Sequence, residues 1–318
     1  ISQSVDQGKQ STKIGLPVDR LFPGNTLSIE FVLDSDRLAE GRTTPEENVL
    51  RNSALDLSEV AHYAELPRLD LFANAGFPFT KFADLSDSTV ILPHDPSTQQ
   101  TSFYLALLGF FGARTGYPAL RVAVAYPEQA SRAVNKHLLI VGSLDEDTSG
   151  TLAGAAPARL EHGAIKLSPS MDLFGFIPWR KWTDQTRRAQ DVLSGDPAPA
   201  AFITEFASPY DSGSTVVSFQ ASDAAQFSTM EDFFAENVRL SDIYGNLGLL
   251  QNRQIHSFTL KSKVVSYGNL RWDDRWRTWI KSHYWTIPLL LILVSLLLAS
   301  QLDSWLELRA KFRLEADS

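Results

Sequence analysis

The sequence predicts an α/β fold joined to β structure and ending in membrane-associated helices, and three patterns predict it. From about Glu65 onward short helical and strand patterns alternate. Residues 1–35 read as β, and Ser282 to Leu302 contains no Asp, Glu, Lys or Arg. The 318-residue chain is 44% hydrophobic, lacks cysteine and carries a formal net charge of −8, with a pI near 5.3. That apolar content excludes a low-complexity disordered chain. The missing thiols exclude a disulfide scaffold, a zinc ribbon and a cysteine nucleophile. With 29 basic against 37 acidic residues, nucleic acid is not an expected partner, since phosphate contacts need a basic surface. The length corresponds to about two domains. The chain begins at Ile1, without Met or a signal-peptide pattern, and reads as a processed or cropped product.

Taken in order, Asn25 to Asp34 alternates Leu27, Ile29, Phe31 and Leu33 inward against Ser28 and Glu30, after a Pro23-Gly24-Asn25 turn. Two or three strands build no independent sandwich, so these read as the trailing strands of a β-domain. Residues 36–52 are charged and aperiodic, hence a loop. Pro67 opens a short helix that Gly76 closes. Ser88 to Leu92 is a β-branched strand stopped by Pro93. Ser97 to Gln100 is a capping box opening a helix through Leu105, Leu108 and Phe111. Arg121–Tyr126, His137–Val141, Ala201–Phe206 and Thr215–Phe219 are further strands. Ser228 to Glu231 forms a second capping box with Phe227 as its staple. Repeated βα units predict a mostly parallel, doubly wound sheet covered on both faces. Gln254–Leu260 and Lys263–Tyr267 have hairpin spacing and are expected at an antiparallel edge.

The C-terminal run supplies the roughly 20 apolar helical residues that a bilayer core requires. Trp285 and Trp305 bracket it, and Pro288 falls in its first turn. Flanking basic residues are nearly balanced, so charge alone gives no orientation. Before the run, Trp272, Trp276, Trp279 and Ile280 share a narrow helical arc, with charged residues on the remaining circumference. Such a helix lies in the membrane interface. The same face would also pack on the protein's own domain or stack on sugar rings. Five of the chain's seven tryptophans fall between Trp272 and Trp305, which ranks the interface first.

Signals for chemistry are thin. After Leu92 the loop Pro93-His94-Asp95-Pro96-Ser97 has no glycine and loses two N–H donors to proline. Gly142-Ser143-Leu144-Asp145-Glu146-Asp147 places three acids where a phosphate would sit. No GxGxxG, P-loop, GxSxG or HExxH is present. The acidic triplet would bind a divalent ion at most weakly and is more often a solvated loop. The six histidines have no paired spacing, and His137 reads as a hydrogen-bonded surface residue. Arg271 and Arg275 match an RxxxR spacing, but with acids between them they read as a solvated helix face. No residue is assigned a catalytic, cofactor-binding or metal role. Carboxylate pairs for glycoside hydrolysis stay open, because their separation is spatial.

Leu71-Phe72-Ala73-Asn74-Ala75-Gly76-Phe77-Pro78-Phe79 followed by Ala83-Asp84-Leu85-Ser86, Gly109 to Pro118, and Phe206-Ala207-Ser208-Pro209-Tyr210 carry a family resemblance. With the C-terminal order of tryptophan-rich helix, apolar run and short tail, they resemble the periplasmic subunit of bacterial cellulose synthase. The resemblance implies the C-terminal part of a carbohydrate-binding jelly-roll β-sandwich at 1–62 and a flavodoxin-like doubly wound α/β domain at 63–268. It further implies an amphipathic interface helix at 269–283, a transmembrane helix at 284–303 and a cytosolic tail at 304–318. The bulk of the chain would be periplasmic, on a single C-terminal anchor in the bacterial inner membrane. The implied role is non-catalytic: guiding nascent cellulose and supporting the catalytic glycosyltransferase subunit. Implied partners are that catalytic subunit, nascent cellulose, membrane lipid and further copies of the chain. Trp272, Trp276, Trp279, Ile280, Trp285 and Trp305 would contact the membrane interface, and Pro288, Ser295 and Ala299 would pack against a partner helix. No cofactor is expected, and cyclic di-GMP is expected on the catalytic partner rather than on this chain. A membrane-tethered periplasmic polysaccharide-modifying enzyme is the rival reading, and a purely structural assembly module a second.

Overall fold

In the computed structural model the described residues are 63–144, 150–161, 163–168, 184–195, 201–235 and 240–268, and from the C-terminal stretch 272, 276, 288, 291–302 and 305. The jelly-roll part expected at 1–62, and Trp279, Ile280 and Trp285, lie outside them. The chain divides into two compact units, residues 1–57 and 64–267 in one, 58–63 and 268–318 in the other.

Strand β1 (Tyr63–Leu66) leads into helix α1 (Leu69–Ala75). Gly76 ends α1 with φ 71°, its N–H donating to the Phe72 carbonyl at 2.7 Å. A Cβ there would lie 2.6 Å from Thr80 Cγ2, so only glycine turns the chain this tightly. Next come β2 (Ser88–Ile91) and α2 (Thr98–Thr115). The capping box read from sequence is present: Gln100 N–H donates to Ser97 Oγ at 3.2 Å, and Ser97 N–H to Gln100 Oε1 at 2.9 Å. The buried face of α2 is Phe103, Leu107, Phe110 and Phe111, whereas Leu105, expected inside, is exposed. The remaining elements are β3 (Ala123–Ala125), β4 (His137–Val141), α3 (Thr151–Ala155), β5 (Ala158–Glu161), β6 (Ala164–Leu167) and α4 (Asp184–Leu193). They are followed by β7 (Ala201–Ala207), β8 (Thr215–Ala221), α5 (Ala225–Ala235), β9 (Leu247–Gln251), β10 (Gln254–Phe258) and β11 (Val265–Gly268).

The main sheet has seven strands in the order β10-β9-β7-β8-β4-β2-β3, while β1 pairs with β11 and β5 with β6. Strands β3, β2, β4 and β8 are parallel; β7, β9 and β10 are antiparallel. The expectation of a mostly parallel sheet is therefore corrected to a mixed one. Loop length gives the reason. Only Ser208–Ser214 separates β7 from β8, too short for the crossover that parallel neighbours require. The expected hairpin of 254–260 with 263–267 is also corrected. β10 pairs with β9 through Asn252 and Arg253, both at positive φ as a two-residue type I′ turn demands. Helix α5 starts before the predicted second capping box. Asp223 Oδ1 accepts the Gln226 N–H at 3.2 Å, which leaves Ser228 inside the helix.

Side chains alternate across the sheet with period two. Val90, Leu139, Val141, Val217 and Phe219 face α1, α2 and α5, while Ile91, Leu138, Ile140 and Val216 face the side that α3 covers. At the centre of the first layer Phe72 meets Phe79, Phe110, Phe111, Phe219 and Phe234 at ring-centroid distances of 5.6 to 6.3 Å. The resemblance-bearing motifs around Phe72 and Phe111 are thus this core.

Candidate functional site

Connections from β2 and β4 leave in opposite directions, the first to β3 at the sheet edge and the second toward β8. The crevice beyond the carboxyl ends of two such strands is where open α/β sheets hold ligands. A shallow crevice is present there, lined by Leu92, Pro93, Pro127, Gly142, Leu144 and Leu152 among others. Among the described residues its lining carries no Lys, Arg, Asp or Glu. Helix α2 starts beside it, but its capping box has already engaged the Gln100 and Ser97 N–H groups. Anion sites at helix N-termini depend on such donors being free. Those two donors are thus already used, and titrating flavin mononucleotide into the protein is expected to leave flavin fluorescence unchanged. Saturable quenching at micromolar flavin would overturn this. Next in the chain to the lining residues Pro93 and Pro127, His94, Tyr126 and Glu128 cluster at the edge of this crevice, with His94 Nε2 2.5 Å from Glu128 Oε1.

Two buried ionisable groups lie elsewhere in the sheet. His137 is 3% exposed, not the surface residue expected from sequence. The Thr215 backbone N–H donates to its Nδ1 at 3.1 Å, which places the ring proton on Nε2, facing the Tyr267 hydroxyl at 3.5 Å. Burial, reinforced by Lys81 and opposed by Asp87 and Asp211, brings its pKa down to about 4. Glu205 stands inside the otherwise apolar strand β7 and is fully buried. Its Oε2 accepts the Arg68 backbone N–H at 2.7 Å, tying the start of α1 to the sheet, while Oε1 has no hydrogen-bond partner. Burial pushes its pKa up to about 8 against the pull of the Arg68 N–H, and the Asp70 carboxylate adds to the rise. Arg68 in turn pairs with Asp70. The described residues contain no group of three His, Asp or Glu placed to hold a metal.

Of the residues singled out in the C-terminal stretch, Trp272, Trp276, Pro288, Ser295, Ala299 and Trp305 are helical and exposed, Trp272 at 76%. Residues 291–302 form a continuous helix exposed at every position. Ser295 Oγ donates to the Leu291 carbonyl at 2.8 Å, so its one polar group is satisfied within the helix. Twelve residues span about 18 Å at 1.5 Å each. Among the described residues no helix is long and apolar enough to cross a membrane.

Sequence reasoning missed Glu205 and the trio at the crevice mouth. A lone carboxylate within AFITEFA was the available signal for the first, because a buried strand tolerates a charge only with a partner. For the trio no sequence signal existed, since His94 lies 34 positions from Glu128.

Residues 62–219 match the family described as cellulose synthase BcsB, second FD domain. A protein of Xanthomonas axonopodis pv. citri named cyclic di-GMP-binding protein is 32% identical over 89% of this chain and 37% of its own length. A protein of the same name from Komagataeibacter sucrofermentans is 29% identical over 78% of the chain and 32% of its own length. Cellulose synthase 1 of Komagataeibacter xylinus is 29% identical over 70% of the chain and 15% of its own length. The chain thus spans between about a seventh and two-fifths of these relatives. Their names correct one expectation. Cyclic di-GMP is expected from sequence to stay off a chain of this kind, yet relatives aligned along most of it are themselves named for binding that dinucleotide.

Proposed function

The chain is of the BcsB type of cellulose synthase subunit, and from that premise we propose that it is a membrane-anchored accessory subunit without catalytic chemistry of its own. Its 63–268 region, of flavodoxin-like ancestry, and the jelly-roll part at 1–62 stand in the periplasm and guide the nascent glucan. The interface helix at 269–283 and the inner-membrane span at 284–303 hold the catalytic glycosyltransferase in an active arrangement.

One observation supports this reading above others. The helix at 291–302 is exposed at every position, and only Ser295, Ser300 and Gln301 in it are polar. A helix apolar around its whole circumference needs lipid or another protein to cover it. Ser295 and Ala299 lie one turn apart on it, as a small-xxx-small pair through which a second helix approaches closely. The ligand in the relatives' names comes to this chain as its regulatory ligand. Among the described residues, the crevice lining offers that dinucleotide no cation. Solubilised in mild detergent from cells that make the glucan, the tagged chain is expected to co-purify with a membrane glycosyltransferase. Recovery without such a partner would overturn the reading.

A further inference from the structure

The mouth of the crevice carries three side chains that take no part in the core. The His94 imidazole lies flat on the Tyr126 ring, with centroids 4.2 Å apart and planes at 24°. Glu128 Oε1 meets His94 Nε2 at 2.5 Å. All three stay open to solvent, Tyr126 at 43%. Their backbone is held in place. Pro93 precedes His94, and Pro127 separates Tyr126 from Glu128; both prolines line the crevice and fix φ. The Tyr126 N–H donates to Gln129 Oε1 at 3.2 Å and pins the turn. The platform is therefore organised before any ligand arrives, which reduces the ordering cost of binding.

The chemistry of the platform selects its ligand. The Glu128 carboxyl is held below the usual carboxylate range, first by its own backbone N–H and then by His94, so it is a hydrogen-bond acceptor at neutral pH. The neighbouring Asp95 adds negative charge, and the described crevice lining has no Lys or Arg, so anionic ligands are disfavoured. What remains is an exposed, mutually stacked His94–Tyr126 pair next to the apolar lining residues Pro93 and Pro127, with the Glu128 carboxylate as an acceptor for hydroxyl donors. A neutral sugar ring complements it, with C–H groups against the rings and hydroxyls donating to the carboxylate.

We propose that His94, Tyr126 and Glu128 form a binding site for a neutral β-linked glucan chain at the switch point of the sheet. The choice of glucan rests on the cellulose synthase reading; the preference for a neutral polyhydroxylated ligand rests on the geometry. The test is calorimetric titration of the full chain in detergent with cellohexaose, and with oligogalacturonate as an anionic counterpart. Cellohexaose is expected to bind and oligogalacturonate not. Tyr126→Ala and Glu128→Gln are each expected to weaken binding about fivefold to tenfold, the scale of one aromatic contact or one charge-assisted hydrogen bond. Glu128→Gln keeps the size of the side chain, so its effect is read even where Tyr126→Ala disturbs the turn. Cellohexaose that fails to bind the unaltered chain, or binds both variants undiminished, overturns the site, whatever co-purification gives. An absent partner in the co-purification overturns the accessory-subunit reading without altering the cellohexaose result.

Discussion

Removing every residue after Gly268 is expected to abolish glucan synthesis by the partner while leaving the larger unit folded. The cut follows from the structure. β11 ends at Gly268 and is the partner of β1, so an earlier end would leave β1 unpaired. Tyr267 packs edge-on against Phe77 at 5.3 Å and under Lys81 at 5.1 Å, and its hydroxyl lies 3.5 Å from His137, so it belongs to the fold being kept. What is lost is the stretch that holds Trp272 and Trp276 and the exposed apolar helix at 291–302. A single apolar helix in lipid gains nothing further from hydrophobicity by meeting another helix. Its association depends on close packing and on a fixed rotation. Replacing Trp272, Trp276 and Trp279 together by Ala is accordingly expected to lower synthesis several-fold without changing the circular dichroism of the larger unit. Incorporation of glucose from UDP-glucose in reconstituted membranes measures both. Full synthesis with the truncated chain would reduce the C-terminal helices to an anchor.

The order of elements was legible in the sequence wherever local chemistry decides. Ser97 and Gln100 mark the start of α2 because a helix must satisfy its first N–H groups nearby, and Gly76 marks the end of α1 because its φ of 71° excludes a side chain. Strand direction was less legible, since it depends on what the intervening loop can span. Counting the residues from Ser208 to Ser214 would have revealed the β7–β8 hairpin, and Asn252-Arg253 between apolar runs would have revealed β9. The candidate site was hidden for a different reason. His94 and Glu128 meet only because β2 and the turn after β3 end side by side, a consequence of the parallel pairing of Thr89, Val90 and Ile91 with Ala123, Val124 and Ala125. The lack of glycine in the Pro93–Ser97 loop was readable from sequence; the stacking of His94 on Tyr126 beside it was not.

The folded unit is expected to be most stable between about pH 4.5 and 6.5 and to lose stability on the alkaline side because of one residue, Glu205. Folding raises its carboxyl from 4.5 to about 8 by burial, so the native state keeps a proton that the unfolded chain has already released. The stabilisation tied to the neutral carboxyl is complete below the unfolded value and is lost as pH climbs toward the folded one. The slope is about 1.4 kcal/mol per pH unit. His137 acts in the opposite sense. Burial lowers its pKa from 6.5 to about 4, so its contribution is complete above 6.5 and is lost as pH falls through the folded value. Between 4.5 and 6.5 the two slopes cancel, and above 6.5 only the Glu205 loss remains. The groups around Glu205 reinforce this. Asp70 opposes its ionisation, and the Arg68 guanidinium that would favour it is engaged with Asp70. Glu205→Gln keeps an acceptor for the Arg68 N–H but cannot ionise, so its denaturation midpoint should stay level between pH 6.5 and 8 while that of the unaltered protein falls. His137→Gln should keep the alkaline fall and lose part of the acid one. Equal alkaline slopes in the unaltered protein and in Glu205→Gln would mean that the buried carboxyl does not hold its proton, and that the tie between α1 and β7 is made by a charged group.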